Sequence, residues 1–302
     1  MDVLGIGYSA IDYIFLVPRY PAINEKLEYI EFEIQGGGPV ATALVTLSRL
    51  GKSTSYIGCI GDDWNGDFIK REFIRENVKI QNLVVQKNKR SPLSIIIVDK
   101  NSGKRTILWS RKELDPYDEK LIKENLFDGV KVLHLDGFEI ETALKAIFFA
   151  RKRNIPVVVD AGGVKKGMDM LLENSDYFVA SSVFARDFTG EKDKTRALMK
   201  LYKINKRCVV ITYGEKGSIG IKNNKMVEVP AFKVDVKDTT GAGDVYHGGF
   251  IYGVLQNWGL KKTMIFASAI SALKCMQLGG RKGIPDITRV NSFLKEHRNH
   301  IR

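Results

Sequence analysis

"VKDTTGAGDVYHGGF", residues 236–250, decides how the chain is read. Gly241, Ala242 and Gly243 stand directly before Asp244, and the apolar run "VYHGGFIYGVLQ" follows. The pattern predicts a glycine turn opening a helix over 242–256, with a second long helix over 261–277. Backbone N–H groups at a helix N-terminus point one way and carry partial positive charge, so they form an anion site. Gly241 and Gly243 would let backbone approach a phosphate without side-chain obstruction. Asp244, in the first turn, would be kept ionised by the helix dipole and so be a ready proton acceptor. An anion site beside a base suits phosphoryl transfer. The base takes a proton from a hydroxyl nucleophile while the N–H groups stabilise charge on the transferred group. A helix-starting Asp in a ligand-free glycine turn would carry the same letters, and these residues alone leave both readings open.

The rest of the chain narrows the class. Its 302 residues are 44% hydrophobic, enough for a sizeable core. The net charge of +12 raises the question of nucleic acid, but the basic residues are interleaved with acids, as in "KREFIREN". An anionic small substrate is the preferred source of that charge, with neither nucleic acid nor membrane as partner. Cys59, Cys208 and Cys275 are scattered and odd in number, which argues against disulfides or a zinc site and for a reducing, cytoplasmic setting. Asp12 interrupts the apolar start "MDVLGIGYSAIDYIFLV", so a signal peptide is not expected.

Short apolar runs alternate with helical patterns. "VLGIGY", "STSYIGCIG", "GVKVLHLDG", "NIPVVVDAGG", "SDYFVASS" and "KRCVVITYG" read as strands covered on both faces. "PVATALVTLSRLG" reads as a helix opened by Pro39 and closed by Gly51, and "GDFIKREFIRENV" and "ETALKAIFFARKR" have helical spacing. The alternation predicts an α/β domain over 1–302, with a mostly parallel sheet flanked by helices. Two segments, about 13–35 and 91–110, are strand-like with hairpin character and suggest a small β lid over a cleft. An exposed lid has free edges, and pairing them between two chains as a homodimer would hide them.

Two other phosphate-loop patterns fail. "GIGYSA" fits G-x-G-x-x-A after a strand, but the β-branched, proline-bounded "IDYIFLVPRYP" that follows cannot start a crossover helix. The P-loop pattern ending in Gly-Lys-Ser/Thr is absent.

"DTTGAGDVYHGGFI" resembles the C-terminal signature of the PfkB/ribokinase family of carbohydrate kinases at every constrained position. "GGGPVATALVTLSRLG", then "YIGCIGDDWNGDF", resembles the family's N-terminal signature, and "GIGYSAID" and "VVITYGEKGS" fall in matching order. The resemblance implies a doubly wound ribokinase-like fold with a β lid. It also implies transfer of the γ-phosphoryl of ATP, with Mg²⁺, to a hydroxymethyl group of a sugar or nucleoside. Asp244 would be the general base, and the N–H groups of Gly241, Ala242 and Gly243 the anion hole. Asp12, Gly37, Gly38 and Thr42 would face the sugar, with Trp109 of the second lid hairpin as a stacking candidate. Thr212, Gly214 and Gly217 match the nucleotide turn T-x-G-x-x-G, Thr239 and Thr240 precede the anion hole, and the small face "ASAISALKC" would flank adenine. Some members also bind a potassium-like cation, for which Asp238, Thr240 and Gly279 are the matching positions.

The chain departs from the family in two places. The Asn of GGxxxN is Thr42, which keeps a donor and an acceptor with shorter reach. The metal-linked N-x-x-E falls on "SSVF", so Ser181 replaces the Asn and Phe184 the Glu. Asp160, ending "IPVVVD", is a candidate to share the metal's placement. The tail and the "SSVF" change resemble the ketohexokinase and sulfofructose kinase side of the family. A ketose kinase is therefore expected, ahead of a nucleoside or sugar-acid kinase or a catalytically weak binding relative.

Overall fold

The computed structural model describes residues 1–297. The first half contains β1 (Val3–Ile6), β2 (Ala10–Val17), β3 (Glu31–Gly37), α1 (Pro39–Arg49), β4 (Thr54–Gly61), α2 (Trp64–Arg75), β5 (Val78–Gln86), β6 (Leu93–Asp99), β7 (Arg105–Ser110), β8 (Val132–Leu135) and α3 (Ile140–Lys152). The second contains β9 (Val157–Ala161), α4 (Met168–Asn174), β10 (Tyr177–Ser181), α5 (Ser182–Thr189), α6 (Lys194–Asn205), β11 (Cys208–Thr212), β12 (Ser218–Lys222), β13 (Lys225–Val229), α7 (Ala242–Leu255), α8 (Leu260–Cys275) and α9 (Ile287–Glu296).

Nine strands form the main sheet, in the order β13-β12-β11-β10-β9-β8-β1-β4-β5. From β5 to β11 every pairing is parallel, and those strands are the apolar runs of the sequence, buried on both faces. The exception is β5, whose polar alternation suits its edge position. β12 and β13 add an antiparallel hairpin that the expected alternation does not contain. One apolar cluster lies on the α1, α7 and α8 face and a second on the α3 to α6 face. α7 and α8 are buried nearly all round, as central helices should be.

Local chemistry sets the helix starts. Pro39 opens α1 with its fixed φ, and Gly51 ends it at φ +80. Asp63 caps α2 by accepting from the Gly66 N–H at 2.9 Å. In α2, Ile69 and Phe73 face the core as their spacing predicts, whereas Ile74 is exposed and Glu72 is buried in its stead. After β1 the chain turns through Tyr8 directly into β2, so "GIGYSA" enters no helix.

The small sheet has the order β3-β2-β6-β7. Its two hairpins join through the parallel pair β2–β6. Gln35, Asp12, Ser94 and Trp109 lie opposite one another across its four strands, so all four share one face. That face closes over Leu278 through Ile14, Leu16, Ile96 and Val98.

Candidate active site

The strand ends and the start of α7 gather the site. Gly241 takes φ +69, and an added Cβ would stand 2.9 Å from the Gly280 Cα. Its missing side chain thus serves both the left-handed turn and the packing on Gly280. Gly243 faces open space. Ala242 donates its N–H to the Thr239 carbonyl at 3.2 Å and accepts at its own carbonyl from the Ser271 hydroxyl of α8 at 2.8 Å. The expected set of three free N–H groups is therefore reduced at Ala242. The N–H groups of Gly241, Gly243 and Asp244 donate to no described residue.

Burial pushes the Asp244 carboxyl above the usual range, opposed by the charges of His247, Arg105 and Lys274. The expected dipole-favoured ionisation is thus outweighed by desolvation. Asp244 feels the charges of Asp12, Asp136 and Asp160, which places four carboxyls around one cleft. Asp136 is fully committed: it accepts from Tyr8 N at 2.8 Å, Phe138 N at 3.1 Å and Val40 N at 3.5 Å. Asp160 lies 3.3 Å from His247 Nδ1, and burial pushes it up to about 6. It is paired with an imidazole rather than free for a metal. His247 Nδ1 also meets the Gly243 carbonyl at 2.7 Å, and Nε2 meets that of Val179 at 3.2 Å.

Asp12 is buried, and desolvation raises it to about 6 against the Ser94 hydrogen bond and the charge of Arg281. The glycine run beside it has reasons within the protein. A Cβ on Gly37 would meet the Asp12 carboxylate at 2.1 Å, one on Gly36 the Arg281 guanidinium at 2.0 Å, and one on Gly38, at φ +94, the Tyr8 carbonyl at 2.4 Å. Thr42 is buried, and its hydroxyl accepts from Arg281 Nε at 3.4 Å, while Arg281 Nη2 donates to the Gly37 carbonyl at 3.1 Å. Arg281 is only 2% exposed, and sequence reasoning missed it. Lys165 was missed as well: its ammonium lies 3.3 Å above the Phe138 ring and donates to the Asp136 carbonyl at 3.2 Å. Trp109, half-exposed, meets Tyr8 and Phe138 edge-on at 6.0 and 5.9 Å.

On the opposite side, Thr212 ends β11 with its hydroxyl on the Ala180 carbonyl at 3.4 Å. Gly214, at φ +58, opens a short 3-10 turn beside free space. Gly217, at φ +89, is backed by the Val229 carbonyl, which a Cβ would meet at 2.1 Å. Thr239 is tied to the β6–β7 turn, its hydroxyl bonding the Gly103 carbonyl at 3.1 Å and Arg105 at 3.2 Å. The Thr240 hydroxyl is buried without a partner. In "ASAISALKC", Ala267 lies against Gly249 of α7, so that residue packs helix on helix. Asp238 accepts from Thr240 N and Gly279 N, each at 2.7 Å.

The residues at the family's metal-linked position do not fit a metal. Ser181 caps α5, accepting from Phe184 N and donating to the Gly162 carbonyl, both at 2.9 Å. Phe184 is wholly buried, 5.3 Å from both Phe178 and Phe188. No group of three or more His, Cys, Asp or Glu among the described residues could hold a metal ion.

A helix start with free N–H groups, an acid beside it and a second acid beneath a small sheet are the parts that phosphoryl transfer calls for. A family model described as pfkB family carbohydrate kinase matches residues 2–287. The chain belongs to that family. It is 28% identical to a deoxyribokinase of Salmonella typhi, over 97% of this chain and 99% of the relative. It is 25% identical to a nucleoside kinase of Methanocaldococcus jannaschii, over 97% and 96%. A ribokinase of Arabidopsis thaliana solved with ribose and ATP has the same fold, with a TM-score of 0.83, 20% identity and coverage of 97% and 98%.

The packing of Phe184 gives a direct check. Phe184→Ala should lower unfolding free energy by about 3–5 kcal/mol, as read by denaturant titration. A cost near zero would show that this side chain is not part of the core.

Proposed function

We propose that the protein is an ATP-dependent sugar kinase that phosphorylates a hydroxymethyl group, with a ketose such as fructose as the first candidate. The carrying observation is that Asp244 has no hydrogen bond or ion pair among the described residues, although it lies beside unpaired N–H groups of the α7 start. A base with a raised pKa is matched to removing a hydroxyl proton near neutral pH. The γ-phosphoryl oxygens would accept from Gly241, Gly243 and Asp244 N–H groups, with Gly214 and the Thr240 hydroxyl toward the nucleotide. Magnesium would arrive on the ATP phosphates, since no carboxylate stands at the Phe184 position. The ketose rests on the likeness of the tail to ketohexokinase. The aromatic trio of Tyr8, Trp109 and Phe138 equally suits a nucleobase, which makes nucleosides the second reading. A panel of ketoses, deoxyribose, ribose, nucleosides and sugar acids, followed by ATP consumption, separates the two. Buried, unpaired Cys59, Cys208 and Cys275 suit a cytoplasmic setting.

Asp244→Asn should cut turnover by about 10²–10⁴-fold while ATP affinity measured calorimetrically stays close to wild type. Retained turnover would remove Asp244 as the base.

Asp12, raised to about 6, should accept sugar hydroxyls only when ionised. Sugar affinity should therefore weaken as pH falls through that value, and Asp12→Asn should bind weakly at every pH. A flat wild-type profile across this range would exclude Asp12 from sugar binding.

The small sheet would act as the lid, and its outer face suits a second copy of the chain. Tyr13, Ile95 and Leu108 lie opposite one another there, next to Phe15 and Phe32. Ile95 and Leu108 are 38% and 58% exposed, an apolar patch of the kind that marks an interface. Light scattering should give a dimer mass that Leu108→Asp reduces to a monomer; a monomeric wild type would exclude this assembly.

A further inference from the structure

Lys274 is an anomaly in its surroundings. It lies in the last turn of α8, within the apolar run "FASAISALKCM", and its side chain is wholly buried. Its ammonium donates to the backbone carbonyl of Asp238 at 3.0 Å. Asp238 is wholly buried too, and its two carboxylate oxygens clamp the N–H groups of Thr240 and Gly279. These bonds join the stretch leading into α7 to the stretch following α8, where Gly241 rests on Gly280. A buried carboxylate needs a counter-cation as well as N–H donors, because isolated charge in a low-dielectric interior is strongly unfavourable.

Two cations could meet that need: an inorganic monovalent ion held by carbonyl and carboxylate oxygens, or an ammonium supplied by the chain. We propose that the Lys274 ammonium takes the place of a bound potassium-like ion, so that the anion turn at Gly241–Gly243 is assembled without any added monovalent cation. The oxygens around it support this. The Asp238 carbonyl is occupied by Lys274, both Asp238 carboxylate oxygens hold N–H groups, and the nearby Cys275 carbonyl accepts from Lys237 N at 2.9 Å and Asp238 N at 3.1 Å. The Thr240 hydroxyl is left without a partner, while the ammonium already supplies a positive charge beside the Asp238 carboxylate. Burial pulls the Lys274 ammonium below its usual range, and the neighbouring Asp238 charge opposes that fall. The residues at Asp238, Thr240 and Gly279 therefore do not fit an inorganic cation while Lys274 is present. Lys274 is a positioning residue: it acts through Asp238 on the turn.

The importance of this turn for turnover rests on the kinase reading above, but the cation replacement does not. The test is thermal unfolding and ATP consumption of wild type and Lys274→Ala in potassium, ammonium and tetramethylammonium chlorides at matched ionic strength. Wild type should melt at the same temperature and turn over at the same rate in all three. Lys274→Ala should melt lower and lose roughly 100-fold in turnover in tetramethylammonium. Potassium or ammonium should raise its melting temperature, since an ion that binds only the folded state stabilises it, and should restore part of the rate. A wild type stabilised or activated by potassium overturns the proposal, as does a folded Lys274→Ala indifferent to every cation. If Lys274→Ala does not fold, the wild-type comparison decides. Melting needs no sugar. Retained turnover in Asp244→Asn would therefore overturn the kinase chemistry and leave the cation result standing.

Discussion

Charge compensation in the cleft at the strand ends governs this structure. Five acids lie there, and four are already committed. Asp136 is held by three N–H groups, Asp160 by His247, Asp238 by two N–H groups with Lys274 close by, and Asp12 by Ser94 with Arg281 nearby. Asp244 has no such partner among the described residues; desolvation raises its carboxyl, and the charges of His247, Arg105 and Lys274 oppose that rise. Asp244 is only partly exposed, and a desolvated acid without a partner is the costly member of such a set. The arrangement leaves one carboxyl free beside one free set of N–H groups, which is what acid–base chemistry on an incoming anion requires.

That pattern also explains which parts were legible in the sequence. Features encoded over a few residues came through: the turn before Asp244, Pro39 and Gly51 bounding α1, the hairpin character of 91–110, and the doubly buried parallel strands. β12 and β13 did not, because five-residue strands, one interrupted by Gly220 and one mostly exposed, lack a long apolar run. The cationic partners were illegible for a different reason. Arg281 reaches Gly37 and Thr42, and His247 reaches Asp160 and Val179, across separations that no local pattern encodes. Lys274 did leave a signal: a lysine closing the otherwise uncharged run "FASAISALKCM" predicts a buried charge with a dedicated partner.

The glycines show how a residue type can be read correctly for an incomplete reason. Gly37 and Gly38 suggest backbone left bare for a sugar. In the structure their missing side chains make room for the Asp12 carboxylate and the Tyr8 carbonyl, and Gly36 makes room for Arg281. The space was needed, but the protein's own polar groups fill much of it. The two departures from the family each have a separate packing consequence. The shorter Thr42 leaves Arg281 Nε a hydroxyl to bond, and Phe184 exchanges a metal-side carboxylate for a place between two aromatic rings.

The small sheet is joined by hydrogen bonds to the turn that opens α7. Asp12, Ser94 and Trp109 form one row on its inner face, while the β6–β7 turn reaches Thr239 through the Gly103 carbonyl and Arg105. Thr239 in turn accepts the Ala242 N–H. Through these bonds the small sheet is tied to the residue that positions the start of α7. Packed elements of this kind hold together as units rather than deform continuously, so the β6–β7 turn and the start of α7 form one connected piece of structure.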